Sequence, residues 1–157
     1  MSDPVLQKAY DTLSARIGAQ MWQSEWFEMT QERIDGFADV TMDHQWIHVD
    51  PERAKDGPFG APIAHGHLTL SIMGHLPIAT TDDGPKVEGQ KMRINYGFDR
   101  VRFPAPVPVG TKIRATSTLK RVEVKGGMIE QMSEIVVEVQ GQDKPACIAE
   151  SLGRIVF

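Results

Sequence analysis

A single cysteine, Cys147, stands in a chain of 157 residues, so no internal disulfide can form. Cys147 lies in a strand-like run and reads as a buried, reduced thiol. No apolar run approaches the roughly 20 residues of a membrane span. The start, Met1-Ser2-Asp3-Pro4, lacks a basic region followed by an apolar one, so a signal peptide is not expected and the chain reads as cytoplasmic. Positive charge is also short: the net charge of −4 argues against general nucleic-acid binding. Carboxylates are missing from one stretch altogether, Ala61 to Ile78.

What is present suits one α+β domain. Apolar residues make up 41% and charged residues 24%, an ordinary balance for a chain long enough to bury a core. The charge is unevenly spread. Residues 1–60 carry eleven acids and five bases, whereas residues 91–125 carry nine bases against Asp99 and Glu123. That basic stretch is either a solvated strand face or a landing site for a phosphorylated ligand.

Asp3-Pro4 opens a helix within residues 1–20, with Leu6, Ala9, Tyr10, Leu13 and Ile17 at helical spacing and Gly18 at its end. Met21 to Met29 reads as extended. Thr30 can cap a second helix, and Asp50-Pro51 a further short one, so residues 30–56 are short helical pieces. Residues 62–78 read as a long central helix, with Ala64, Leu68, Ile72 and Leu76 every fourth residue. Thr80 to Gly89 is a polar connection. Residues 90–157 read as strands, with a bulge near Lys120-Arg121 where apolar parity shifts, and a hairpin turn at Gly126-Gly127. The layout predicts an antiparallel sheet wrapped around the central helix, the hot-dog arrangement. An unpaired sheet edge predicts a homodimer.

Asp43-His44-Gln45-Trp46-Ile47-His48 lies between the helical pieces. Five residues turn a helix by about 500°, which points Asp43 and His48 apart unless the chain leaves the helix between them. A loop there can offer a carboxylate and an imidazole to one water molecule. His44, His65, His67 and His75 fit no standard zinc spacing, so no metal site is expected.

These residues carry a resemblance. Phe37-Ala38-Asp39 with Asp43 to Asp50, then Ala64-His65-Gly66, then Asn95-Tyr96-Gly97-Phe98 running into Val101-Arg102-Phe103-Pro104, resemble the MaoC-like acyl dehydratases, also called (R)-specific enoyl-CoA hydratases. Within them, the nodulation protein N-like group is the nearest in pattern. The likeness covers about residues 22–157. It implies hydration of a trans-2-enoyl-CoA to the (R)-3-hydroxyacyl-CoA, or the reverse. It gives Asp43 and His48 the water and the backbone N–H of Gly66 the thioester oxyanion. It places His65, Asn95, Tyr96, Gly97 and Arg102 against substrate. The partner implied is acyl-CoA or an acyl-carrier thioester, with no other cofactor. Two departures stand out: Gln45-Trp46 replaces the family's common Asn-Pro, a change familiar in the nodulation protein N-like group, and Met42 stands where the family pattern has glycine, where a positive φ would strain it. Two other readings remain: a hot-dog thioesterase, which the carboxylate-free stretch from Ala61 to Ile78 disfavours, and a non-catalytic acyl-thioester-binding protein.

Overall fold

The computed structural model describes residues 3–79 and 87–157. Most of the Thr80–Gly89 connection lies outside the described residues. Helix α1 (Pro4–Ser14) starts where expected: the Asp3 carboxylate accepts from the Val5 and Leu6 amides, and Pro4 needs no partner at N1. Short strands β1 (Gln20–Gln23) and β2 (Phe27–Glu28) follow. Helix α2 (Gln31–Thr41) is capped by the Thr30 hydroxyl, which accepts from the Arg33 amide. Two single-turn helices come next, α3 (Trp46–Val49) and α4 (Pro51–Ala54), the latter capped by Asp50. Helix α5 (Gly66–Ile72) precedes four long strands: β3 (Met92–Arg102), β4 (Lys112–Lys125), β5 (Met128–Val139) and β6 (Cys147–Val156).

All pairings are antiparallel, in the order β1-β4-β5-β6-β3, with β2 also on β4. The β4–β5 turn is Gly126-Gly127 at φ 59° and 76°, the twist a two-residue hairpin requires. The β4 register slips between Leu119 and Arg121, so a bulge does sit at Lys120. It lets both Leu119 and Val122 bury on the same side of the strand, against α1.

Two helices share one face of the sheet. Leu68 of α5, with Ala64, Met73 and Leu76 beside it, packs on Ile113, Ala115, Ile135, Val137 and Ala149. Leu6, Ala9 and Leu13 of α1 pack on Leu119, Val122, Ile129 and Ile155. Burying such side chains contributes about 1.5–3 kcal/mol each before entropy is counted. Four of the five bases of β4 are matched by neighbouring acids: Arg114 with Glu138, Lys120 with Glu134, Arg121 with Asp99, and Lys125 with Glu123 and Glu130. For those four the solvated strand face is the better reading.

Two expectations need correction. The helix expected over 62–78 is only Gly66–Ile72. The amides of Ile63 and Ala64 bond the carbonyls of Ile47 and Val107, which holds residues 62–64 extended. At the other end the chain turns at Met73 to His75, beside Gly74. The stretch expected as a loop from Asp43 to His48 is a loop only as far as Gln45, because His48 lies on the single turn of α3.

Candidate active site

The site begins with a backbone bend. Helix α2 ends at Met42, which takes φ 64° and ψ 15°, the left-handed conformation. That bend turns Asp43 out of the helix path. The His44 ring and the Asp39 carboxylate, 2.8 Å apart, close the bend from outside. Trp46 then anchors α3. Its indole lies so close to Gly57 that a Cβ there would meet the ring at 2.9 Å, and the Arg53 guanidinium covers it at 4.4 Å.

His48 is 6% exposed. Its Nδ1 lies 2.7 Å from the Ile63 carbonyl oxygen. A carbonyl only accepts, so Nδ1 carries the hydrogen and Nε2 keeps its lone pair. Burial pushes the His48 pKa below the ordinary value of 6.5, and nearby His65 adds to this; the Ile63 hydrogen bond and Asp43 oppose it. His48 is therefore held as a neutral base.

His65 is the second buried ring, 3% exposed. It stacks on His48 with centroids 3.8 Å apart and planes 25° from parallel. Its Nε2 lies 2.9 Å from the Asp43 carbonyl oxygen, so Nε2 is the donor. Phe37 packs on it at 5.0 Å. Donor atoms of Asp43, His48 and His65 all lie within 4.8 Å of one another. A water that bonds two groups at ordinary lengths spans about this gap. The same three groups have the spacing of a cation site. Imidazole lone pairs lie in the ring planes, however, and two stacked rings aim theirs side by side rather than at one ion.

Thus the structure brings Asp43, His48 and His65 together. Asp43 lines a cleft of about 480 Å³ with Phe37, Thr41, His67, Leu70 and Ser71. Gly66 follows His65 in the chain but lines a different cleft, about 350 Å³, with Thr69, Phe103 and Pro104. Its amide opens α5, and no side chain caps that end. Asn95, Tyr96 and Gly97 line a third cavity of about 410 Å³, which shares Leu70 and Ser71 with the Asp43 cleft. They sit beside Asp43 and His48, not among them. Arg102 is exposed and its Nη1 donates to the Val101 carbonyl.

Sequence reasoning missed three features. The Ile63 carbonyl that sets the His48 tautomer is backbone and leaves no sequence signal. Phe103 lies against Gly66. Thr69, fully buried, carries a hydroxyl with no partner in the cleft that Gly66 lines.

A family model described as MaoC like domain matches residues 12–141. The chain is 52% identical over 145 residues to 3-hydroxyacyl-thioester dehydratase Z of Mycobacterium tuberculosis, covering 92% of this chain and 93% of that one. It is 42% identical to nodulation protein N of Rhizobium leguminosarum bv. viciae, covering 91% and 88%. Among solved structures, a monoamine oxidase regulatory protein from Archaeoglobus superposes with a TM-score of 0.73 at 26% identity, over 88% of this chain and 89% of that one. The (R)-hydratase of A. caviae superposes at 0.64 with 22% identity, over 87% and 94%.

Proposed function

Because the chain belongs to the MaoC-like dehydratases, a family of hydro-lyases, we propose that Asp43 and His48 act on one water that adds to, or leaves, an acyl thioester. The observation that carries this is a carboxylate oxygen of Asp43 and a ring nitrogen of His48 within 4.8 Å of each other, on an imidazole whose Nδ1–H is already committed to the Ile63 carbonyl. In the hydration direction, His48 Nε2 takes a proton from the water as its oxygen bonds C3 of the 2-enoyl thioester. The C2–C3 π electrons move onto the thioester as an enolate. His48 then returns the proton to C2, so one water supplies both the hydroxyl and the hydrogen on one face. Asp43 accepts a hydrogen bond from the water and orients it. The Gly66 amide, unpartnered in the first turn of α5, is the proposed donor to the thioester oxyanion.

We assign the substrate as trans-2-enoyl-CoA and the product as the (R)-3-hydroxyacyl-CoA, with an acyl-carrier thioester as the other carrier of the same chemistry. Each proton transfer uses protein groups, and CoA enters as part of the substrate. The buried Cys147 thiol, pushed up to about 11 by burial, suits a reducing compartment, and we place the reaction in the cytoplasm. We also propose a homodimer joined through β3.

Absorbance at the enoyl-thioester band with crotonyl-CoA tests the reaction. Asp43→Asn and His48→Gln should each lower kcat by at least ~10²-fold. The double variant should lose little more than the worse single one, because groups acting as a unit are non-additive. Both single variants should still fold and bind acyl-CoA. Full activity in either would move the chemistry elsewhere. A protein that binds acyl-CoA yet never hydrates it would be the non-catalytic binder.

A further inference from the structure

His65 occupies the N-cap of α5 but does not act as a cap: its side chain bonds none of the first-turn amides. Serine, threonine or aspartate would do that better. The ring is instead committed to two other tasks. Its Nε2–H reaches back 22 residues to the Asp43 carbonyl, at 2.9 Å. Its face lies on the His48 ring at 3.8 Å. The remaining nitrogen, Nδ1, is buried and has no hydrogen-bond partner. A phenyl ring could fill the same space between Phe37 and His48. Only a ring with an N–H can also hold the carbonyl.

We propose that His65 is a positioning residue for the proton transfer, not a substrate contact: it ties the Asp43 loop to α5 and fixes the plane of the His48 ring. The inference rests on the reading of Asp43 and His48 as the acid–base pair. The Asp43 carboxylate hangs from a four-residue loop, and the His65 bond is the link from that loop to the helix. A misplacement of about 1 Å between reacting groups can cost on the order of 10²-fold in rate. Like charges on rings stacked at 3.8 Å repel in a buried site, so the His65 ring disfavours a proton on His48.

The groups that face His48 come from four places. Asp43 comes from the loop, His65 from the start of α5, and the Ile63 carbonyl from the extended segment before it. From α2, the Gln31 amide donates to the His48 backbone carbonyl. Of the side chains, Asp43 favours the charged imidazole and His65 disfavours it. Removing the second imidazole therefore lets His48 hold a proton to higher pH. The acid limb of kcat, where the base becomes protonated, then moves up.

The test uses full-length His65→Phe and His65→Gln, with kcat and KM for crotonyl-CoA measured from pH 5 to 9, and thermal unfolding in parallel. In the unaltered protein the acid limb should lie below about 6.5, the ordinary imidazole value. His65→Phe keeps the ring and loses the N–H. It should lower kcat by about 10-fold or more, leave KM nearly unchanged, and shift the acid limb upward. His65→Gln keeps an N–H within reach of the carbonyl. It should recover part of kcat but show the same upward shift. If His65→Phe does not fold, the limb and the kcat-to-KM split of His65→Gln decide alone. A raised KM with kcat intact would make His65 a substrate contact and overturn the proposal. A lowered kcat with the limb unmoved in every folded variant would leave a packing role and overturn it equally. His48→Gln, run alongside, separates the two layers: if it stays active the acid–base reading fails, whatever His65 does.

Discussion

Met42 performs a glycine's task. It is the one non-glycine residue with positive φ among the described residues, at 64°. A left-handed conformation costs a residue with a Cβ roughly 1–2 kcal/mol. The side chain is 83% exposed, so little packing offsets that cost. The bend nonetheless forms and delivers Asp43 to His48, so strain here is a matter of stability and not of a lost site. Met42→Gly removes the strain but frees the unfolded chain, which takes back some of the gain. The net expectation is a stabilisation of up to about 1 kcal/mol, read from the urea midpoint, with kcat within twofold of the unaltered protein because the backbone already has its working shape. An unmoved or lowered midpoint would mean the strain is no larger than the freedom the glycine gives the unfolded chain. The sequence made the Asp43 and His48 positions and the unusual Met42 legible, because spacing and residue type carry them. It could not reveal the Ile63 carbonyl or the His48–His65 stack. Those depend on where residues 15 and 17 positions apart meet once the chain has folded.

Helix α5 was the least accurately legible element, and the reason is local. Apolar residues at 64, 68, 72 and 76 do reach or approach the core, yet only the middle of that run is helical. Periodicity reports which side chains are buried; it does not report that the Ile63 and Ala64 amides prefer carbonyls on other segments. The strands were more legible, since alternation, the parity shift at Lys120 and the paired glycines each have a single geometric reading. At the start of α5 two explanations of Gly66 compete. A Cβ there would meet the Phe103 ring at 3.0–3.1 Å, so the glycine is needed for packing whatever the substrate does. The oxyanion reading needs only the amide, which alanine retains. Gly66→Ala should therefore lose activity and about 1–3 kcal/mol of stability through the ring clash. The double variant Gly66→Ala/Phe103→Ala, with the ring removed, should recover most of kcat. Thermal unfolding and kcat on the two variants decide it. A double variant that is stable but still inactive would mean that the glycine is there for the substrate's close approach.

At the scale of the molecule, the sheet is unfinished on one side. One edge is made of short pieces: β1 has four residues and β2 has two. The other is β3, eleven residues long, paired only through β6. Met92, Ile94, Tyr96 and Phe98 alternate along it and are 41–53% exposed. An open edge that long and that apolar invites a further strand. The same strand in a second copy, placed across a two-fold axis, is self-complementary by symmetry and leaves no new edge behind. The 410 Å³ cavity between α5 and Asn95–Phe98 opens along this edge, so a second copy would also wall it. Light scattering should accordingly give twice the 17.5 kDa chain mass at micromolar concentration. Ile94→Lys puts a charge among the exposed apolar side chains of the edge, where burial would be costly and a free edge tolerates it. That variant should scatter as a single chain. If the cavity beside the Asp43 cleft needs its second wall, its kcat/KM for acyl-CoA should fall with the dimer. A monomer in the unaltered protein would refute the edge pairing, and a monomeric Ile94→Lys with full activity would show that one copy holds the whole site.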